Sequence, residues 1–351
     1  MWRFLSSGIV RWATPVAACW ILLPTGCATW RAPSAPTASS FTNRFEFTRP
    51  QMGLPFRIAL YAPDAASASA AALAAFTRIQ QLNDILSDYD TDSELSRLSR
   101  TAGDNRAVPV SHDLWFVLAR AQRLSARTDG AFDVTVGPYV SLWRKARREK
   151  KLPRDDLLAE ARAAVGWEKL QLDAQARTAK LLAPGMRLDL GAIAKGYAAD
   201  VALQVLRERG FARALVAGGG DMAIGDAPPG KRGWRIEVAP LDVSNAPPAR
   251  FVWLANCGLA TSGDVFQYLD LDGHRYSHIV DPKTGLGLTD HSLVTVIARD
   301  AITADSLATA VSVLGPQRGL QLIDDTPGAS VCILRPAEDR IEVTLSGAFK
   351  E

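Results

Sequence analysis

Histidine is scarce in this chain, with four in 351 residues, and so is cysteine, also four. The cysteines form no CxxC pair and no Cys/His cluster, and no HExxH occurs, so the zinc classes have no support. An excess of one charge is lacking too. The formal net charge of +3 is too small to argue for a nucleic-acid partner. The one basic run, RKARREKK at 144–151, has no aromatic interleaving and reads as a solvated helix face or loop. A GxxxxGK[ST] loop and a GxSxG elbow are absent, which excludes P-loop and α/β-hydrolase chemistry. No solenoid repeat appears.

What is present suits a soluble globular protein: 48% hydrophobic and 22% charged residues, in a chain long enough for one large domain. The N-terminus differs from the rest. Arg3 and Arg11 precede the apolar run ATPVAACWILLPTGC, which Pro24 interrupts too soon for a membrane span. Residues 1–26 therefore read as an export signal. Thr25-Gly26 before Cys27 resembles a bacterial lipoprotein processing site, with Pro24 where Leu is usual. The expectation is a lipidated Cys27 heading a flexible Pro/Ser/Ala-rich tether over 27–44, then a domain over 45–351. That places the protein in the periplasm, anchored to a bacterial membrane by lipid. Cys257 and Cys332 then remain, either paired or as two buried thiols.

Residues 45–61 alternate loosely as strand, with Met52-Gly53 in the middle. Apolar spacing through Leu73, Phe76, Ile79, Leu82 and Leu86 predicts a helix over 66–87, and another over 111–127 starts at the N-cap Ser111. TDGAFDVTVGPYVSLW reads as a turn entering a β-rich stretch. MRLDL (186–190) reads as a strand feeding the helix that opens in GAIAKGYAAD. ARALVAGGGDMAIG reads as a buried strand into a glycine loop, and a last helix is expected over 303–314. Strands outnumber helices and mostly follow one another directly, so the fold class is α+β, with largely antiparallel sheets and packed helices.

Asp305 and Thr309, one turn apart, offer hard oxygens suited to Mg2+, or Asp305 is simply a first-turn residue favoured by the helix dipole. Lys195, in the first turns of its helix, suits a phosphate. GGGDM lacks dinucleotide-fingerprint spacing. TSGD at 261–264 presents N–H groups to an anion or makes a turn. His278 in RYSHIVDPKTG has no ligand partner and is either structural or a base.

The order of these segments carries more than any one of them. MG, SDYDTDSELSRLSR, DGAFDVTVGP, DLGAIAKGYAAD, GGGDM, TSGD, YSHIVDPKTG and ADSLAT together closely resemble the ApbE family of FAD:protein FMN transferases, from about Met52 to Gly315. The resemblance implies an ApbE-like, T-fold-related mixed α/β domain. It also implies Mg2+-dependent transfer of FMN from FAD to a Thr or Ser hydroxyl of an acceptor redox protein of the cell envelope, with AMP leaving. By motif, Met52, Tyr89, Ala131, Phe132, Asp133, Asp189, Lys195 and Ile279 would contact FAD. Asp305, Thr309 and the backbone carbonyl of Ala192 would hold the metal, and His278 would be the base. Tyr89 and Phe132 would flank the flat rings. Leu54 stands where Thr is usual and Val265 where an aromatic is common. An FAD pyrophosphatase with water as acceptor fits the same residues; a third reading, a flavin-binding lipoprotein without turnover, has His278, Lys195, Asp305 and Thr309 together against it.

Overall fold

The computed structural model describes residues 43–238, 240–241, 250–264, 268–337 and 340–349. The expected export signal over 1–26, Cys27 and Val265 lie outside the described residues.

Eight strands form the main sheet: Asn43–Gln51, Leu54–Ala62, Ala214–Gly218, Asp221–Ile224, Cys257–Gly263, Leu293–Ala298, Ser330–Ala337 and Arg340–Leu345. They lie side by side in chain order, each antiparallel to the next. Between these strands, the other described elements are excursions that leave one strand and return beside it. The segment 45–61 is therefore two strands and not one. Met52 and Gly53 have φ of 49° and 77° between the paired Gln51 and Leu54. Two consecutive positive φ values make the tight hairpin turn that matches strand twist. The glycine loop after Gly218 is likewise a hairpin turn through Gly219 and Gly220 into Asp221–Ile224.

Side chains alternate across the sheet. Ile58, Leu60, Val216, Ala260, Val294 and Val296 join the main core with the helices. Ala59, Leu215, Leu259 and Ile297 face the other way, against Trp234 and Ile236 of the small sheet Trp234–Val238/Arg250–Leu254. With both faces covered, Leu293–Ala298 is buried at every position, so apart from Thr295 it reads as an apolar run rather than an alternating one. Cys257 and Cys332 are both free thiols, on strands separated by Leu293–Ala298. Burial pushes the Cys257 thiol up to about 11.

The described helices are α1 (Ala65–Leu86), α2 (Glu94–Ser99), α3 (His112–Arg127), α4 (Gly137–Glu149), α5 (Asp155–Ala164), α6 (Ala194–Glu208) and α7 (Ala301–Asp324). Asp64 caps α1 by accepting from the Ser67 N–H at 2.8 Å. Its buried stripe is richer in alanine than expected, Ala68, Ala71, Ala72 and Ala75 with Phe76 and Ile79, while Leu73 is 49% exposed. Small side chains suit the face that packs on α6. The expected last helix stops near 314 as read: Gly315 (φ 73°) is non-helical and Pro316 follows it, so Ala301–Asp324 is two helices that meet at a kink.

Two expectations fail between α3 and α6. GPYVSLW is not β-rich but opens α4, with Pro138 in its first turn. MRLDL is not a strand: its strand-like pairing is an isolated parallel bridge, Val136 to Arg187.

Gly196 sets how closely α6 and α7 cross. A Cβ there would lie 2.3 Å from the Ala301 carbonyl oxygen and 2.8 Å from the Asp305 Cβ. Gly196→Ala is expected to cost about 1–3 kcal/mol of stability through overpacking. The urea-unfolding midpoint measures it; an unchanged midpoint would contradict the tight crossing.

Candidate active site

At that crossing three charged side chains meet. Lys195 Nζ donates to the Gly191 carbonyl at 2.9 Å. It lies 2.9 Å from Asp221 Oδ2 and 3.6 Å from Asp305 Oδ2. The Gly196 N–H donates to the same Asp305 oxygen at 3.0 Å. Both aspartates are buried. Burial works against the ammonium, but the two carboxylates hold Lys195 protonated well above the ordinary lysine range. Asp221 is pushed up to about 7, first by burial and then by Asp305 beside it. One cation between two carboxylates leaves a buried centre short of positive charge when both are ionised. One turn along α7, Thr309 Oγ1 lies 3.1 Å from Ser262 Oγ of TSGD. The centre thus draws on α6, α7 and two strands of the main sheet.

These donors are hard oxygens, which suit Mg2+. Asp221 Oδ2 is buried and receives no well-aligned hydrogen bond, only the ion pair. A buried carboxylate oxygen left in that state fits a site completed by a cation. Asp305 and Thr309, one turn apart on α7, are the residues that would hold one. Ala192, half-buried ahead of α6, is in the same segment as Gly191.

Asp200 fixes the relation of the two helices. Its carboxylate accepts from the Ala301 and Ile302 N–H groups at 2.9 and 2.8 Å, while Asp300 accepts from Thr303 N–H at 3.0 Å. Three otherwise unpaired donors of α7 are so satisfied. Burial outweighs these bonds and lifts the Asp200 carboxyl to about 7 from 3.8. The folded chain then holds this proton more tightly than the unfolded chain. The stability it adds is complete below about pH 4 and is lost as pH rises through about 7. Urea unfolding between pH 5 and 8 is expected to show a shallower loss of stability in Asp200→Asn than in the parent chain. Equal slopes would contradict the raised value.

A second cluster surrounds Tyr89. The Arg144 guanidinium sits 4.0 Å over the Tyr89 ring centroid and pairs with Asp88 on one side and with Asp189 at 3.0 Å on the other. Arg187 donates to the Asp88 carbonyl at 3.0 Å. Burial, and then Asp88, push Asp189 up to about 6. Asp189 is held by its main chain, N–H to the Val134 carbonyl at 2.8 Å, and its side chain accepts from Gly191 N–H at 2.8 Å. That ties it to Ala131, Phe132 and Asp133, which precede Val134. Phe132 is 2% exposed in the main core, so its ring does not flank a ligand ring, contrary to expectation. Asp133 accepts from both Thr135 N–H and Thr135 Oγ1 at 2.7 Å, and burial pushes it up to about 6. Met52, half-buried at its hairpin turn, packs on the main core.

His278 is exposed, directly after the strand His274–Ser277. Ile279 beside it is buried, and its N–H donates to Ser277 Oγ at 3.1 Å. The turn at Asp281-Pro282 closes through Gly285 N–H to the Asp281 carbonyl at 2.8 Å. α4 clamps this turn: Trp143 Nε1 donates to the Gly285 carbonyl at 2.7 Å. Gly285 lies against the Tyr139 ring at φ +77°, where a Cβ would meet that ring at 2.6 Å. α4 thus holds the His278 segment with Trp143 and the Tyr89 cluster with Arg144.

Two participants were not expected. Asp221 was visible only as the acidic residue closing GGGDM, and its partners lie 26 residues before it and 84 after. Arg144 belonged to a run taken for a solvated face. Alternation of that run with the buried Trp143 and Ala146 of α4 was the signal that distinguished it.

The fold and this centre define a class: an α+β protein whose main antiparallel sheet carries a buried Lys/Asp/Asp centre suited to a cation and a phosphate. The model of the ApbE family matches residues 52–333, and the chain belongs to that family. It is 35% identical over 280 residues to a FAD:protein FMN transferase of Haemophilus influenzae, covering 78% of this chain and 80% of that one. It is 32% identical over 333 residues to one of Klebsiella pneumoniae, covering 93% of each. Among solved structures, the flavin transferase ApbE of Vibrio cholerae superposes with a TM-score of 0.79 at 31% identity, over 88% of this chain and 98% of that one. The apo flavinyl transferase ApbE of Pseudomonas stutzeri gives 0.77 at 30% identity, over 88% and 96%.

Proposed function

We propose that this chain transfers FMN from FAD to a Thr or Ser hydroxyl of an acceptor protein with the help of Mg2+. The observation that carries this is Lys195 held between Asp221 and Asp305 at the α6–α7 crossing. A pyrophosphate brings negative charge that the Lys195 ammonium, together with a bound cation, would neutralise, since the two carboxylates alone leave the centre short of positive charge. Asp305, Thr309 and the Ala192 carbonyl would hold the metal, which when bound neutralises phosphate charge as the P–O bond to AMP breaks.

The residues divide the remaining work. Lys195 neutralises pyrophosphate oxygens. Tyr89, with the main chain around Ala131, Phe132 and Asp133 and with Asp189, Met52 and Ile279, holds the rest of FAD. The acceptor hydroxyl oxygen bonds to the FMN phosphorus, its proton passes to a His278 ring nitrogen, and AMP departs with the former bridging oxygen. An acceptor protein reaches a base only at the surface, and His278 is exposed.

The acceptor is a redox protein of the cell envelope. The expected export signal and Cys27 favour a periplasmic enzyme tethered to a bacterial membrane by lipid, the Pro/Ser/Ala-rich residues ahead of the strand Asn43–Gln51 giving it reach.

The test mixes the protein with FAD, Mg2+ and an acceptor bearing a flavinylation-type Thr, then looks for flavin fluorescence on the acceptor after denaturing electrophoresis. Covalent flavin with one AMP per flavin is the expected result. AMP and free FMN without labelled acceptor would replace transfer by hydrolysis. No AMP at all would leave only a flavin-binding protein.

A further inference from the structure

We infer that Arg144 is a positioning residue for ring recognition, backing Tyr89 so that one face of the tyrosine is presented to a planar ring of FAD. This rests on the proposed binding of FAD. Tyr89 is 77% exposed, in the loop between α1 and α2. An exposed aromatic on a loop ordinarily samples several rotamers, and a ligand that stacks on it must pay to hold it still. Here the guanidinium covers one face at 4.0 Å.

Arg144 is itself fixed. Asp88 and Asp189 bind its two terminal nitrogens, and its side chain is 24% exposed. The neighbouring Trp143 is bonded to Gly285, so the helix beneath it is anchored as well. A planar cation held by two carboxylates stacks on an aromatic face as a lysine ammonium does not. Its removal also leaves Asp88 and Asp189 facing each other without the charge between them. The platform is therefore built from three segments far apart in sequence, and its free face is open to solvent.

A purely structural ion pair would change stability and leave FAD affinity alone. The two are separated by measuring the FAD dissociation constant, by quenching of flavin fluorescence, and KM for FAD in turnover. The proteins are the full chain, Arg144→Gln, Arg144→Lys, Tyr89→Ala and the Arg144→Gln/Tyr89→Ala double variant, with melting temperature recorded for each. Arg144→Gln is expected to weaken FAD binding about tenfold, the size of a partly desolvated cation–π contact, with KM raised more than kcat is lowered. Arg144→Lys should recover only part of this. The double variant should bind no worse than Tyr89→Ala, because Arg144 acts through that ring.

Wild-type affinity in folded Arg144→Gln and Arg144→Lys, or fully additive losses in the double variant, would overturn the inference. If Arg144→Gln fails to fold, Arg144→Lys against Tyr89→Ala decides alone. A parent chain that does not bind FAD at all overturns the FAD proposal, and this inference with it.

Discussion

Asp305→Ala is expected to cut metal-dependent AMP release from FAD by about a thousandfold or more, the scale of a lost ligand to a charge-neutralising ion. Asp305 is buried, accepts the Gly196 N–H and shares Lys195 with Asp221. Alanine removes the carboxylate and leaves that N–H without its acceptor, which costs about 1–3 kcal/mol. Some destabilisation must therefore be separated from the loss of chemistry. Asp305→Asn does so, because its carbonyl oxygen still accepts from Gly196 while its charge is gone. Both variants are to be assayed over a Mg2+ titration, with melting curves alongside. The metal role fails if Asp305→Asn keeps parental turnover at the parental Mg2+ optimum. It also fails if Asp305→Ala is fully rescued by temperature alone.

The second large effect is expected at His278. His278→Ala should slow transfer to the acceptor by about 10²–10⁴-fold, the usual worth of a positioned base, and leave the FAD dissociation constant within about twofold, since affinity rests on many contacts and not on this proton acceptor. The segment keeps its shape without the imidazole, because the Ser277, Leu288 and Gly285 main-chain bonds close it. Transfer is read as flavin fluorescence on the acceptor under single-turnover conditions. Full transfer rates in the variant would remove His278 from the chemistry.

How far the sequence led depended on distance along the chain. α1 and α3 are legible because apolar spacing and caps are local: the stripe through Phe76, Ile79, Leu82 and Leu86 marks α1, and Ser111 lies next to the turn it caps in α3. The hairpin at Met52-Gly53 was missed because two strands of one alternation look like one long strand until the turn is seen. α4 was missed because Val134, Val136 and Val140 carry strand propensity, and packing on the His278 segment overrides it. In the site, Lys195 and Asp305 were named from separate motifs. That they share a charge with Asp221 follows only from the α6–α7 crossing, which Gly196 permits and no local pattern announces. Arg144 was hidden for a similar reason: a basic run gives charge, and only the helix phase says which of its members turns inward.

The main sheet lies in chain order, each strand beside the one made before it. A chain emerging N-terminus first can therefore zip this sheet progressively, with no strand held open for a later one to insert. Its chemistry follows a different clock. Lys195 and Asp221 are in hand once the fourth strand has formed, but Asp305 arrives on α7, after six of the eight strands. Until the stretch 225–300 has emerged, a nascent chain lacks the second of the two carboxylates that flank Lys195. Competence arrives in a single late event, the docking of α7 onto Asp200 and Gly196.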